Sequence, residues 1–196
     1  MTTPRRFLFL LASTRRLGNS EQLAYCAAHP LPPTVEQRWL NLLDLPLPDF
    51  ADLRHSGSYH APTGNAQVLL DATLKATDLV LVAPLYWYSL PAPAKLYLDH
   101  WSAWLRTPEL NFRQLMQDKT LWAITVSSGE RAEAQPLEDS LTLTAQYLQM
   151  HWGGMLFGTG SRPNDIQLDN LALQRAKSFF SASPEALPLP PALPID

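Results

Sequence analysis

Cysteine is nearly missing: Cys26 stands alone in 196 residues. That excludes an intrachain disulfide and any cysteine-rich metal centre, and fits a reducing, cytoplasmic setting. Charge is sparse as well, at 17% of residues and a net −3. With no excess of Lys and Arg to displace counterions, a general nucleic-acid partner is excluded and the ligand is expected to be small. No window reaches the length of a membrane span. Arg5-Arg6 followed by the apolar run 7–12 resembles the start of an export signal. That run is too short for an h-region and passes directly into Ser13 and Arg16, so a cytoplasmic protein without a membrane partner is expected. Three motifs are also missing. There is no Gly-Lys-Ser/Thr phosphate loop, no Gly-x-Gly-x-x-Gly fingerprint and no Gly-x-Ser-x-Gly nucleophile elbow.

What is present is apolar mass, 46% of the chain, enough to bury the core of one domain. Apolar runs alternate with helical periodicity. Strands are predicted over 7–13, 35–42, 78–84, 120–127 and 154–160, and helices over 19–28, 65–77, 92–105, 137–151 and 169–182. The first and third strands are nearly continuous apolar runs, as central parallel strands are. Strict alternation predicts an α/β fold, a doubly wound five-stranded parallel sheet of order 2-1-3-4-5 with helices on both faces. Residues 43–64 form a long connection rich in turn formers. The domain is expected to span 1–183. A Pro-rich tail, 184–196, follows it, read either as a loose end or as a strap across a partner subunit.

In such folds ligands bind beyond the carboxyl ends of the strands, and three predicted loops there carry chemistry. Residues 13–20 read Ser-Thr-Arg-Arg-Leu-Gly-Asn-Ser between a strand and a helix. Ser13, Asn19 and Ser20 offer side-chain donors, Arg15 a bidentate cation, Gly18 a tight turn, and the helix its positive end: a receptacle for phosphate. Asn19 or Ser20 acting only as a helix cap is the plainer alternative. Residues 84–91 read Pro-Leu-Tyr-Trp-Tyr-Ser-Leu-Pro after the third strand. Tyr86, Trp87 and Tyr88 cannot all face a core from one loop, so a planar guest or a subunit contact is expected there. Ser127, Ser128 and Gly129 end the fourth strand in a donor-rich turn, a composition that ordinary strand-to-helix turns share. His55 and His60 lack metal-ligand spacing, so no metal is expected. His100 and His151 fall on predicted helix faces.

Together these segments resemble the flavodoxin-like NAD(P)H-dependent FMN reductases and quinone oxidoreductases. Residues 12–20, Ala-Ser-Thr-Arg-Arg-Leu-Gly-Asn-Ser, are similar to the family's Gly-Ser-Pro-Arg-Lys-x-Gly-Asn-Thr/Ser loop, with Ala12 for its glycine. Residues 84–92, followed by Lys95 and Asp99, are similar to its Pro-x-Tyr-Trp-x-Ser-x-Pro-Ala…Lys…Asp segment, the more specific of the two motifs. The resemblance implies FMN rather than FAD, with NAD(P)H as co-substrate. Ser13, Arg15, Asn19 and Ser20 would hold the flavin phosphate. Pro84, Leu85, Tyr86, Trp87 and Tyr88 would line the ring, and Ser127, Ser128 and Gly129 would meet its pyrimidine side. The last turn departs from the family, with Ser-Ser-Gly-Glu where Thr-x-Gly-Gly is usual.

The implied activity is a two-electron oxidoreductase in which the flavin carries the reaction, with a quinone, azo, nitro or flavin acceptor. No side chain is required as a nucleophile, and Arg131 is a candidate for tuning the reduced flavin. The alternatives are a flavodoxin-type carrier of single electrons and a flavin-free interaction module. Trp101 and Trp104 on the third helix point to a homodimer.

Overall fold

The computed structural model describes residues 4–188. Its centre is a parallel sheet of strands β1 (Arg6–Leu11), β2 (Glu36–Asn41), β3 (Asp78–Pro84), β4 (Thr120–Ser127) and β5 (His151–Thr159), in the order β2-β1-β3-β4-β5. This is the flavodoxin-like order expected from the alternation. Helices α1 (Asn19–Ala28), α2 (Gly64–Lys75), α3 (Ala92–Trp104), α4 (Phe112–Met116), α5 (Gln135–Tyr147) and α6 (Asn170–Ala176) cover both faces.

The two-residue period of a strand decides which side chain goes to which layer. Leu8, Leu10, Leu79, Leu81, Leu121 and Ala123 face one layer, packing with residues of α2, α3 and α5. Phe7, Phe9, Val80, Val82, Trp122 and Ile124 face the other, packing with α1 and α6. The runs read as continuous because both faces of the central strands are buried. β2, at the edge, is exposed over its first half, and Trp39 closes it by stacking on Phe9 with ring centres 3.9 Å apart.

Three expectations are corrected. The helix over 137–151 ends at Tyr147, because Gln149 adopts a left-handed conformation (φ 56°) that turns the chain back to the sheet. His151 therefore opens β5 instead of lying on a helix, and donates its backbone N–H to the Lys119 carbonyl at 2.8 Å. The helix over 169–182 stops at Ala176, and Phe179 and Phe180 turn inward to meet Trp122 at 5.1 and 5.3 Å between ring centres. Trp101 and Trp104 are 4% and 2% exposed, packed edge-on against Tyr97 and Phe112 inside their own chain, so they are core and not a subunit contact.

The long connection between β2 and α2 lies over α3. His100 Nε2 meets the Pro48 carbonyl at 2.9 Å, and Asn65 donates to the Pro46 carbonyl at 3.0 Å. His55 and His60 are exposed, and among the described residues no cluster of potential metal ligands occurs. No helix among those residues is long and apolar enough to cross a membrane. At the start of the Pro-rich tail, Glu185 exchanges backbone hydrogen bonds with Trp152 at 3.1 and 2.8 Å. The Pro188 carbonyl accepts from Gln146 at 3.0 Å, so this stretch lies along its own chain, while 189–196 fall outside the described residues.

Candidate functional site

β1 delivers the chain to a turn at the carboxyl edge of the sheet. Ser13 Oγ accepts the Arg15 N–H at 3.1 Å, Leu17 takes a left-handed conformation (φ 50°), and Gly18 precedes α1. A Cβ on Gly18 would stand 3.2 Å from the Arg15 carbonyl and 3.3 Å from Ser13 Oγ, so the turn closes this tightly only around glycine. Glu21, in the first turn of α1, reaches back to the Leu17 N–H at 2.7 Å. No side chain caps α1. Its first N–H groups, which have no partner within the helix, therefore remain as donors with the positive end of the helix dipole behind them.

The two arginines of this turn differ. Arg16 is paired with Asp44 through two hydrogen bonds; the pairing raises the guanidinium pKa and lowers that of the carboxyl. Arg15 is in no ion pair among the described residues, and the one hydrogen bond of its guanidinium among them is a long 3.4 Å approach of Nη1 to the Ser161 carbonyl. Arg15 is thus the cation left for a ligand.

A cleft of about 340 Å³ lies beyond the ends of β1, β3, β4 and β5, within the usual ligand-site range of about 300–1,000 Å³. Into it the fold brings Ser13, Arg15, Asn19 and Ser20, then Pro84, Leu85 and Tyr86, then Ser127 and Ser128, nine residues singled out from sequence. Arg15 is the one charged residue of the lining, so the cleft is suited to an anionic end group on a largely neutral ligand.

Three of the twelve lie elsewhere. Trp87 and Tyr88 form the tip of a two-residue hairpin closed by reciprocal Tyr86–Ser89 backbone hydrogen bonds of 3.1 and 3.0 Å. Both have positive φ, 51° and 62°, as a type I′ turn demands, and Trp87 is 93% exposed beside the cleft. Gly129 is turned under Glu133 and gives its N–H to Ser127 Oγ at 3.1 Å. Arg131, the suggested tuner, is committed to Glu138.

Asn19 lines the cleft, but its side chain is otherwise engaged: Nδ2 donates to the Arg162 carbonyl at 2.9 Å. Sequence reasoning missed Gly160 and Ser161, which complete the lining. A signal existed: Thr159-Gly160-Ser161-Arg162 at the end of β5 has the same small, donor-rich composition as the other strand ends.

Comparison with known proteins bears on the fold and the family. Residues 5–157 match the family model described as NADPH-dependent FMN reductase. A Bacillus subtilis (strain 168) protein named as an NAD(P)H-dependent FMN-containing oxidoreductase, YwqN, is 28% identical over 173 residues, covering 87% of this chain and 93% of its own. Among solved structures, the Trp repressor binding protein from Bacillus subtilis superposes with a TM-score of 0.72 at 24% identity, covering 90% of this chain and 99% of that one. An FMN-dependent NADH-azoreductase from Bacillus anthracis, in complex with FMN, gives 0.64 at 13% identity, with 90% and 98% covered. The NAD(P)H:quinone oxidoreductase from Methanothermobacter marburgensis gives 0.67 at 16%, with 90% and 95% covered. At these identities the structural likenesses establish the fold. The family match spans most of the sequence, and the chain belongs to the NADPH-dependent FMN reductase family, flavodoxin-like oxidoreductases that bind FMN and take NAD(P)H as co-substrate.

Proposed function

We propose that the protein is a two-electron reductase of the quinone or FMN reductase type, passing reducing equivalents from NAD(P)H through FMN to a quinone, azo, nitro or free-flavin acceptor. The observation that carries the reading is the joining, in one cleft with one cation, of the donor-rich turn 13–20 and the strand end at Pro84, Leu85 and Tyr86.

The residues divide the work. Arg15, the hydroxyls of Ser13 and Ser20, and the N–H groups at the start of α1, that of Asn19 among them, hold the phosphate end. Pro84, Leu85 and Tyr86 provide an apolar wall that excludes water from one side of the ring. Ser127 and Ser128 offer donors to its pyrimidine edge. Held by these residues, FMN would supply two-electron redox chemistry between the nicotinamide and the acceptor. Trp87 and Tyr88, held out on their hairpin, extend the aromatic surface toward a planar acceptor. The absence of carboxylates from that hairpin favours small acceptors over a single-electron protein partner.

The working unit in this reading is a cytoplasmic homodimer. Its contact surface includes the outer face of α5, where Leu143 is 64% exposed. The test is direct. Purified protein should carry yellow FMN, be reduced by NADPH or NADH, and turn over at least one acceptor class in a steady-state screen. Failure to bind FMN at about micromolar concentration would overturn the reading. A monomer in sedimentation would remove the dimer from it.

A further inference from the structure

Resting on the flavin reading above, we propose that a second, apolar pocket beside the cleft takes the hydrocarbon side chain of the acceptor. Of the acceptor classes named there, the chain is then built for quinones that carry an alkyl or prenyl tail. The reaction balances as NAD(P)H, one proton and the quinone giving NAD(P)+ and the hydroquinone. NAD(P)H supplies both electrons, and water supplies the second proton.

The pocket has a volume of about 400 Å³, within the usual ligand-site range of about 300–1,000 Å³. Leu42, Leu43, Leu45 and Leu47 of the connection after β2 form one side, and Pro93 and Leu96 of α3 the other. Asp49 is the one charged residue of the lining, and it is in no ion pair among the described residues. A carboxylate beside leucines disfavours an anionic occupant such as a flavin phosphate or a fatty acid, and leaves a neutral hydrocarbon. Quinones are the acceptor class whose members are neutral and bear long hydrocarbon chains.

The leucines belong to a pinned stretch of chain. Leu42 donates its N–H to the Leu11 carbonyl at 2.9 Å, Leu43 to Asn41 Oδ1 at 2.9 Å, and Leu45 to the Leu42 carbonyl at 3.3 Å. Further along, Asn65 at the start of α2 and His100 on α3 hold the carbonyls of Pro46 and Pro48. A site fixed by contacts of this kind costs its ligand little ordering.

Two walls of the cleft continue into this pocket. On one side, Leu11, which accepts from Leu42, leads to Ser13 of the cleft. Arg16 of the same turn is paired with Asp44, between Leu43 and Leu45. On the other side, Pro84, Leu85 and Tyr86 line the cleft, and the hairpin returns the chain through Pro91 to Pro93 of the pocket. A ring held at Tyr86 and a tail among the leucines are thus joined across the root of the hairpin.

The full chain loaded with FMN is titrated by calorimetry, without NAD(P)H, with a dimethoxy-methyl-benzoquinone and with the same ring bearing a decyl chain. The decyl compound should bind at least about tenfold more tightly, the gain from burying about two methylene groups. Its KM in steady state should be lower by the same factor. Leu96→Asp puts a carboxylate into the wall, and Leu43→Asp does so at a residue already 38% exposed, where little packing is lost. Each should remove most of the decyl gain and leave the affinities for the tail-less ring and for FMN as in wild type.

Equal affinity of wild type for the two quinones overturns the inference, as does a decyl gain that survives in both variants. A wild-type dimer that Leu43→Asp turns into a monomer in sedimentation would give the pocket to a second copy of the chain, and also overturns it. The decyl preference should hold in the chain freed of flavin as well. Failure to bind FMN would therefore sink the flavin reading, while the same quinone pair still decides the pocket.

Discussion

Gly153 lies against the indole of Trp122: a methyl group on Gly153 would stand 2.2 Å from Cδ2 of that ring. Trp122 interrupts the register of β4 with β5 and is fully buried, so β5 accommodates it only by having no side chain at this point. Gly153→Ala is therefore expected to destabilise the fold by about 2 kcal/mol through overpacking, read from the denaturant midpoint. Unchanged stability would mean that β5 shifts freely past the indole.

The same indole donates Nε1–H to Asp78 Oδ1 at 2.9 Å. Asp78 also accepts from Thr77 at 2.7 Å and from Arg5 at 2.5 and 3.1 Å, a buried carboxylate with its acceptors filled. Asp78→Ala leaves a buried indole N–H and a half-buried guanidinium without their partner, and should cost about 3 kcal/mol. Because Asp78 opens β3 and the cleft lies beyond the other end of that strand, FMN affinity of the folded variant should be unchanged. A parallel fall in affinity would show that the two ends of the sheet are coupled.

The two neighbouring arginines should behave differently. Arg15→Ala is expected to raise the FMN dissociation constant about 10–100-fold and to leave riboflavin binding alone, because only the phosphate loses a partner. Arg16→Ala breaks an exposed pair with Asp44 and should change FMN affinity by less than about twofold. Equal losses from both would assign the effect to general charge.

Trp87 occupies a left-handed conformation that costs a bulky residue about 1–2 kcal/mol, and its side chain has almost no packing to lose. Trp87→Gly should raise stability by about 0.5 kcal/mol after the entropy of glycine is counted. If the hairpin serves acceptors, KM for planar quinones should rise in this variant while FMN affinity stays constant. Gained stability with unaltered kinetics would leave the strained tip to a subunit contact.

Asp165 connects pH to the site. The Ser161 and Arg162 N–H groups hold its carboxyl below the usual carboxylate range. With the folded value depressed, its stabilising contribution is complete above the unfolded-chain pKa of about 3.9 and is lost as pH falls through the folded value. The difference in melting temperature between wild type and Asp165→Asn should thus be constant near neutrality and shrink below about pH 4. A difference that stayed constant into acid would mean the carboxylate is not held in this way.

Much of the molecule was legible before folding was considered. The bounds of β3, β4 and α1 follow the apolar runs and turn signals closely, since strands buried on both faces and a glycine-led helix start leave little local ambiguity. The start of β5 was not legible. The sequence pattern ends a helix at His151 and begins the strand at Gly154, and only contact with Trp122, about thirty residues earlier in the chain, explains Gly153, while Gly154 takes a positive φ of 102°. Helix α4 was missed for its brevity, although Phe112 and Met116 are buried four residues apart, the spacing of one helical face.

The donor-rich turn 13–20 and the aromatic strand end were visible because their chemistry is written in consecutive residues. By itself the sequence therefore determined the layers, the strand order and two walls of the cleft. Tertiary structure decided how individual side chains are spent. It gave Arg16 to Asp44, Arg131 to Glu138, Gly129 to Ser127 and the Asn19 amide to the turn after β5. Hydrophobic periodicity is a local property that one stretch of chain carries complete, whereas a hydrogen-bonding group is free or engaged according to partners from other segments, and only the folded chain brings those within reach.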